Sequence, residues 1–217
     1  MVKHFTICLF VSFVTTSCAQ KKDDQSHKMN EKSENKQQAT TYTATFGAGC
    51  FWCVEAIFQS IKGVESVVSG YSGGTAENPS YKEVCTGSTG HAESCQITYD
   101  PEKITYKELL EVFWQTHDPT TLNRQGNDAG SQYRSAVFYH NEEQKALAEK
   151  YKKELDASSA WDNPVITEIT RFTKFYKAEN YHQDYYTANS NLPYCTNVIQ
   201  PKLEKFKKVF KDKLKNE

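Results

Sequence analysis

Between Thr41 and Phe172 the apolar residues of this chain switch repeatedly between a period of two and a period near 3.6. "TYTATF" (41–46), "VESVVSGY" (64–71), "ESCQITYD" (93–100), "SAVFYH" (135–140) and "VITEITRF" (165–172) read as strands. Between the first two, Val54, Ile57, Phe58 and Ile61 fall at i, i+3, i+4 and i+7, which predicts a helix opening at Cys50 with Gly63 as its C′ residue. Thr105 and Glu108 form a capping box before Tyr106, Leu109, Leu110 and Phe113. Asn141 is placed to cap a helix carrying Leu147, Tyr151 and Leu155, and Pro201 to open one carrying Leu203, Phe206, Phe210 and Leu214. A chain of 217 residues with this alternation predicts one α/β or α+β domain: a mixed sheet with flanking helices, a long polar loop over 118–134 and an irregular C-terminal region.

Nothing of this kind precedes Tyr42. Lys3 and His4 lead into "FTICLFVSFVTT", too short to span a bilayer and suited to the apolar region of a signal peptide. "SCAQ" then resembles a relaxed bacterial lipoprotein signal in which Cys18 becomes the acylated N-terminus, although Thr15 stands where Leu is usual and plain secretion is the alternative. Residues 19–41 hold no aromatic or branched aliphatic side chain, so they cannot bury enough apolar surface to offset their ordering entropy. The expected organisation is a signal peptide over 1–18, a solvated tether over 19–41 and a folded domain over 42–217. The expected location is exported, on a membrane anchor facing the periplasm or cell exterior. The 26 Lys and Arg nearly balance the 27 Asp and Glu, which argues against nucleic acid as a partner.

Of seven cysteines, Cys8 leaves with the signal and Cys18 takes lipid, leaving Cys50, Cys53, Cys85, Cys95 and Cys195. An odd number leaves at least one thiol unpaired within a monomer, and a free thiol outside the cytosol is a liability unless it is used or buried. Cys50 stands at a helix mouth, where unpaired N–H groups and the helix dipole favour a thiolate, so it is a candidate nucleophile. Glu93 shares a strand face with Cys95, Ile97 and Tyr99, and a carboxyl on that apolar side has its pKa raised and tends to stay protonated. A neutral acid in a dry pocket is a general acid. Cys95 and Cys85 read as structural. His182 in "YHQDYY" reads as a hydrogen-bonded structural residue. A thioredoxin-like exchanger using Cys50 and Cys53, and a zinc site drawing on Cys50, Cys53, Cys85 and His91 or Cys195, are the competing readings; the zinc spacing fits no common knuckle.

"GAGCFWCVEAIFQ", "GYSGG", "NPSYKEV", "GHAE", "THDPTTLNRQGNDAGSQYRSAVFY" and "YHQDYY" closely resemble the A-type methionine sulfoxide reductases, over residues 43 to about 209. The resemblance implies that family's α/β plait and reduction of methionine (S)-S-oxide, free or in proteins. It implies Cys50 as the nucleophile on sulfur, Glu93 as the acid on the sulfoxide oxygen, and Tyr81, Tyr133 and Asp128 as polar groups around that oxygen. Phe51 and Trp52 would hold the substrate methyl. Oxygen transfer would leave a sulfenic acid needing a second thiol. Cys53, one turn along and on the order of 5–6 Å away between Cα atoms, and Cys195 in the tail are the two candidates; the commoner family pattern has Gly at position 53. No cofactor or metal is implied, only thioredoxin or another dithiol as reductant, and a monomer is expected.

Overall fold

A computed structural model describes residues 42–215. The expected signal peptide, tether and lipidated Cys18 lie outside the described residues. The described chain forms a six-stranded mixed sheet in the order β7-β6-β1-β3-β2-β8. The strands are β1 (Tyr42–Ala48), β2 (Val64–Ser72), β3 (Ala92–Tyr99), β6 (Ser135–Tyr139), β7 (Glu168–Arg171) and β8 (Phe175–Lys177). All neighbouring pairs are antiparallel except β6 with β7. The helices are α1 (Phe51–Gln59), α2 (Tyr81–Cys85), α3 (Tyr106–Thr116), α4 (Glu142–Ala157), α5 (Tyr185–Asn189) and α6 (Gln200–Val209).

β1 lies between β3 and β6, with Phe46 opposite both Cys95 and Val137. The Phe46 ring lies 5.7 Å from Phe58 of α1 and stacks at 4.9 Å on Phe113 of α3. Buried residues of α1, α3, α4 and α6 all join the core built on Phe46, Cys95, Ile97 and Val137. Ala92, Ala136 and Phe138 form a separate small cluster capped by Phe172. This is the expected mixed sheet with flanking helices, and its order sets the C-terminal end of β1 beside the start of β3.

Several boundaries differ from the sequence reading. α1 ends at Gln59 with Ser60 as C-cap, so Gly63 is not its C′ residue. The chain stops coiling there because Ile61 pairs with Leu214, Lys62 N donates to Lys213 O at 2.7 Å, and Lys215 N donates to Ser60 O at 2.9 Å. Gly63, at φ +89°, instead turns the chain into β2. The expected strand over 165–172 shrinks to Glu168–Arg171, since Val165 N donates to Asp156 Oδ1 and Ile166 N to Pro119 O. The loop 118–134 contains a minimal hairpin, β4 (Arg124–Gln125) with β5 (Asp128–Ala129), and a 3-10 turn over Ser131–Tyr133. The tail helix stops at Val209 rather than reaching Leu214, and a π-turn over Cys195–Ile199 precedes it. α2 and β8 are additional elements. α2 opens with a complete Ser80/Glu83 capping box, a signal present in the sequence; β8 has three residues, too few to show a period.

Candidate active site

The site begins at the turn from β1 into α1. Gly49 has φ +87°, and a Cβ there would sit 2.6 Å from the Gln125 side chain, so only glycine allows the β4–β5 hairpin to close over this turn. Cys50 is the N-cap of α1, its carbonyl accepting from Cys53 N at 3.1 Å and Val54 N at 3.4 Å. The next N–H, that of Phe51, has no partner within the helix. It donates to Glu93 Oε2 at 3.0 Å. The helix mouth therefore points a backbone donor at the carboxyl. The expected helix-mouth effect is present at Cys50 but outweighed: burial pushes the thiol well up and the hydrogen bond to the Cys53 sulfur adds to the rise, against the Tyr194 hydroxyl and the first-turn N–H of Trp52, which lower it.

Glu93 is 1% exposed and sits at the start of β3, directly opposite Tyr71 of β2. Burial holds its carboxyl well above the usual range and the nearby Cys50 adds to that, outweighing the Phe51 N–H bond. Burial thus pushes the carboxyl and the thiol beside it both toward their neutral forms. Tyr81 and Tyr133 lie near enough to interact electrostatically with Glu93: burial raises both phenols, and Glu93 is the next contribution for each. Asp128 also bears on Glu93. It accepts the Tyr194 hydroxyl at 2.8 Å, and the Tyr194 oxygen is in hydrogen-bonding reach of the Cys50 and Cys53 sulfurs. Tyr194 went unassigned in the sequence; its only signal is its place beside Cys195.

The aromatic pair forms part of a larger cage. Phe51 is buried, its ring 6.1 Å from Trp52 and nearly parallel to Tyr81 at 6.3 Å. Trp52 is half-buried, stacked on Tyr185 at 3.6 Å with planes 6° apart. Its indole N–H donates to His182 Nδ1 at 3.2 Å, which fixes the His182 hydrogen on Nε2. Tyr185 is a second residue unassigned by the sequence.

The five thiols divide by position. Cys53 is buried beside Cys50, and the Cys50 hydrogen bond lowers it; burial opposes this, and Lys202 assists it. Cys195 is fully buried in the π-turn, close enough to Cys50 to feel its charge. Cys95 is buried under α1, its S–H donating to Phe51 O at 3.5 Å. Cys85 is exposed at the end of α2, its sulfur hydrogen-bonded to the Tyr81 phenol. Among the described residues no group of three or more His, Cys, Asp and Glu converges as a metal site.

A buried thiol facing a buried neutral acid, with a second thiol hydrogen-bonded to the first, is the arrangement of a thiol-based oxidoreductase. The family model described as peptide methionine sulfoxide reductase matches residues 42–214. The peptide methionine sulfoxide reductase MsrA of Sulfolobus acidocaldarius is 58% identical over 78% of this chain and 96% of its own length. That of Rhodopirellula baltica is 52% identical over 86% of this chain and 96% of its own. Among solved structures, reduced Mxr1 from Saccharomyces cerevisiae superposes with a TM-score of 0.66 at 36% identity, covering 73% of this chain and 91% of Mxr1. Methionine sulfoxide reductase A of Corynebacterium diphtheriae gives 0.63 at 36% identity, over 70% of this chain and 76% of that one. The chain belongs to the peptide methionine sulfoxide reductase family, in its A-type branch, and is an enzyme of that class.

Proposed function

We propose that the protein reduces methionine (S)-S-oxide, free or within proteins, through a cysteine sulfenic acid and then a disulfide, repairing oxidised proteins. The observation that carries this reading is the Phe51 N–H bond to Glu93, which sets the acid at the mouth of the helix that Cys50 caps. A sulfoxide sulfur is a poor electrophile until its oxygen is protonated. Glu93 gives that proton to the oxygen while Cys50 forms a bond to sulfur, and the proton Cys50 loses returns to the Glu93 carboxylate. Thiol and acid both start neutral, so no net charge is created in the dry pocket. The S–O bond then breaks, the OH passes to Cys50, and the thioether leaves: thiol plus sulfoxide gives sulfenic acid plus sulfide. Tyr81, Tyr133 and Asp128 surround the oxygen, and Phe51 and Trp52 receive the methyl group.

Cys53 resolves the sulfenic acid, releasing water and forming the Cys50–Cys53 disulfide. Its place one turn along α1, with its sulfur hydrogen-bonded to that of Cys50, supports it over Cys195 for this first step. Cys195 then exchanges with that disulfide, and a thioredoxin-like dithiol restores the thiols by becoming oxidised itself. The proposed setting is a monomer outside the cytoplasm, held to a membrane through acylated Cys18. Incubation with racemic methionine sulfoxide and a dithiol, followed by chiral analysis of what remains, tests the central claim. Only the R epimer should survive; equal loss of both, or survival of the S epimer, would sink it.

A further inference from the structure

The segment "AENYHQDYY" (178–186) supplies no group to the chemistry above, yet it touches the walls of the site repeatedly. Its backbone is tied to β2: Ala178 N donates to Ser69 O at 2.9 Å. The Gln183 amide accepts from Ser69 N at 3.1 Å and donates to Ser69 O at 2.9 Å. From this brace Glu179 reaches two of the aromatic residues. Its Oε1 accepts the Tyr81 backbone N–H at 2.9 Å, and its Oε2 accepts the Tyr71 hydroxyl at 2.9 Å. Tyr71 is the cross-strand partner of Glu93. Tyr81 is the first residue of α2, and its phenol feels the Glu93 charge.

α2 does not need Glu179 to form. Its own capping box satisfies Ser80 N and Glu83 N, and leaves the Tyr81 N–H for an outside acceptor. Glu179 therefore fixes where the helix sits rather than whether it coils. Burial opposes its ionisation, but the bonds from the Tyr81 N–H, its own backbone N–H and the Tyr71 O–H, with His182 nearby, together outweigh that and hold the carboxyl below its ordinary range. A charged acceptor makes these bonds stronger than a neutral one would.

We propose that Glu179 is a positioning residue for the reduction: its carboxylate locks α2 and Tyr71 to the 178–186 segment and so holds the Tyr81 phenol beside Glu93, where the sulfoxide oxygen takes its proton. This rests on the reading in which Tyr81 and Glu93 face that oxygen. A displacement of about 1 Å at a reacting centre is worth on the order of 10²-fold in rate. The test compares single-turnover rates, normalised to titratable Cys50, for wild type, Glu179→Ala, Glu179→Gln, Tyr81→Phe and Glu179→Ala/Tyr81→Phe. Glu179→Ala should slow the step about 10- to 100-fold, through kcat rather than KM. Glu179→Gln should recover most of the rate, since its carbonyl can accept from Tyr81 N–H and its amide can donate to the Tyr71 oxygen. In the Tyr81→Phe background Glu179→Ala should cost little more, because the group it places is gone. Full multiplication of the two effects overturns the proposal. So does a Glu179→Ala rate equal to wild type beside a slow Tyr81→Phe, which leaves the assigned function intact. Tyr81→Phe at the wild-type rate likewise overturns the proposal and leaves the assigned function intact, whereas inactive wild type removes the functional reading and the proposal with it.

Discussion

Cys50 and Glu93, the nucleophile and the acid of the proposed reaction, take their properties from what surrounds them. A thiol at a helix N-terminus would ordinarily lose its proton easily; here the Trp52 N–H favours the thiolate, but burial outweighs it and pushes the thiol up, while the Phe51 N–H serves Glu93. Cys50→Ser should abolish both turnover and the single product formed without reductant. Cys53→Ser and Cys195→Ser should each still yield about one equivalent, because in the proposed mechanism oxygen transfer precedes resolution. Product stoichiometry in the absence of reductant checks this, and a full equivalent from Cys50→Ser would remove the assignment. Glu93→Gln keeps the volume and a donor but has no acidic proton, so the chemical step should fall about 10²–10⁴-fold. The sign with pH follows from the raised carboxyl pKa. Glu93 stays protonated above the ordinary carboxylate range, so its contribution persists there and declines as pH rises through the elevated value. A stopped-flow pH series on wild type and Glu93→Gln should show this descending limb only in wild type. The alternation over 93–99 made Glu93 visible in the sequence, since a period of two assigns a face to every side chain. Tyr194 was not visible: it meets Asp128 from 66 positions away, and nothing local to either residue encodes that contact.

At the scale of elements, two turns decide the geometry. The β1–α1 turn depends on Gly49, where a side chain would face both a left-handed φ and the Gln125 side chain at 2.6 Å. Gly49→Ala should destabilise the fold by about 1–3 kcal/mol and displace the β4–β5 hairpin that carries Asp128. Denaturant unfolding alongside single-turnover rate measures both, and unchanged stability would show that the hairpin simply moves aside. The second is the end of α3. His117 donates through Nδ1–H to Phe113 O at 2.6 Å and accepts at Nε2 from the Ser135 hydroxyl at 2.6 Å, linking α3 to β6. Burial lowers its pKa to about 4. The folded state thus prefers the neutral ring, and this contribution is fully present above the unfolded value near 6.5. It is lost as pH falls from there toward 4, by an amount on the order of 2–3 kcal/mol. Unfolding free energies measured across that interval should slope more steeply in wild type than in His117→Gln. Equal slopes would place the pH dependence elsewhere. The capping boxes at Thr105 and Ser80 were equally readable from local sequence, and both form, because each is complete within four residues.

At the scale of the whole molecule, the proposed lipid anchor predicts palmitate incorporation into wild type that is lost in Cys18→Ala, with the variant moving to the soluble fraction. Absence of label in wild type, or equal label in the variant, would point to plain secretion or retention in the cytosol. Residues that determine such a signal are contiguous, as are those that set strand and helix periods, and contiguous information is what a sequence displays directly. On its own it determined the alternation of elements, the apolar face of β3, the helix mouth at Cys50 and, through its motifs, the family. It did not determine the end of α1, which a pairing of Ile61 with Leu214 cuts short. Nor did it determine the brief strand Phe175–Lys177 on the edge of β2, or the cage of Tyr185 and His182 around Trp52. The protonation of the site belongs to the same group. Local position alone would make Cys50 a thiolate, and only the closing of β3, α2, the β4–β5 hairpin and the tail over one point removes the water that would stabilise the charge. Periodicity is a property of neighbours in the chain, whereas burial is summed over segments the chain brings together from far apart, and that sum exists only once the whole core has packed.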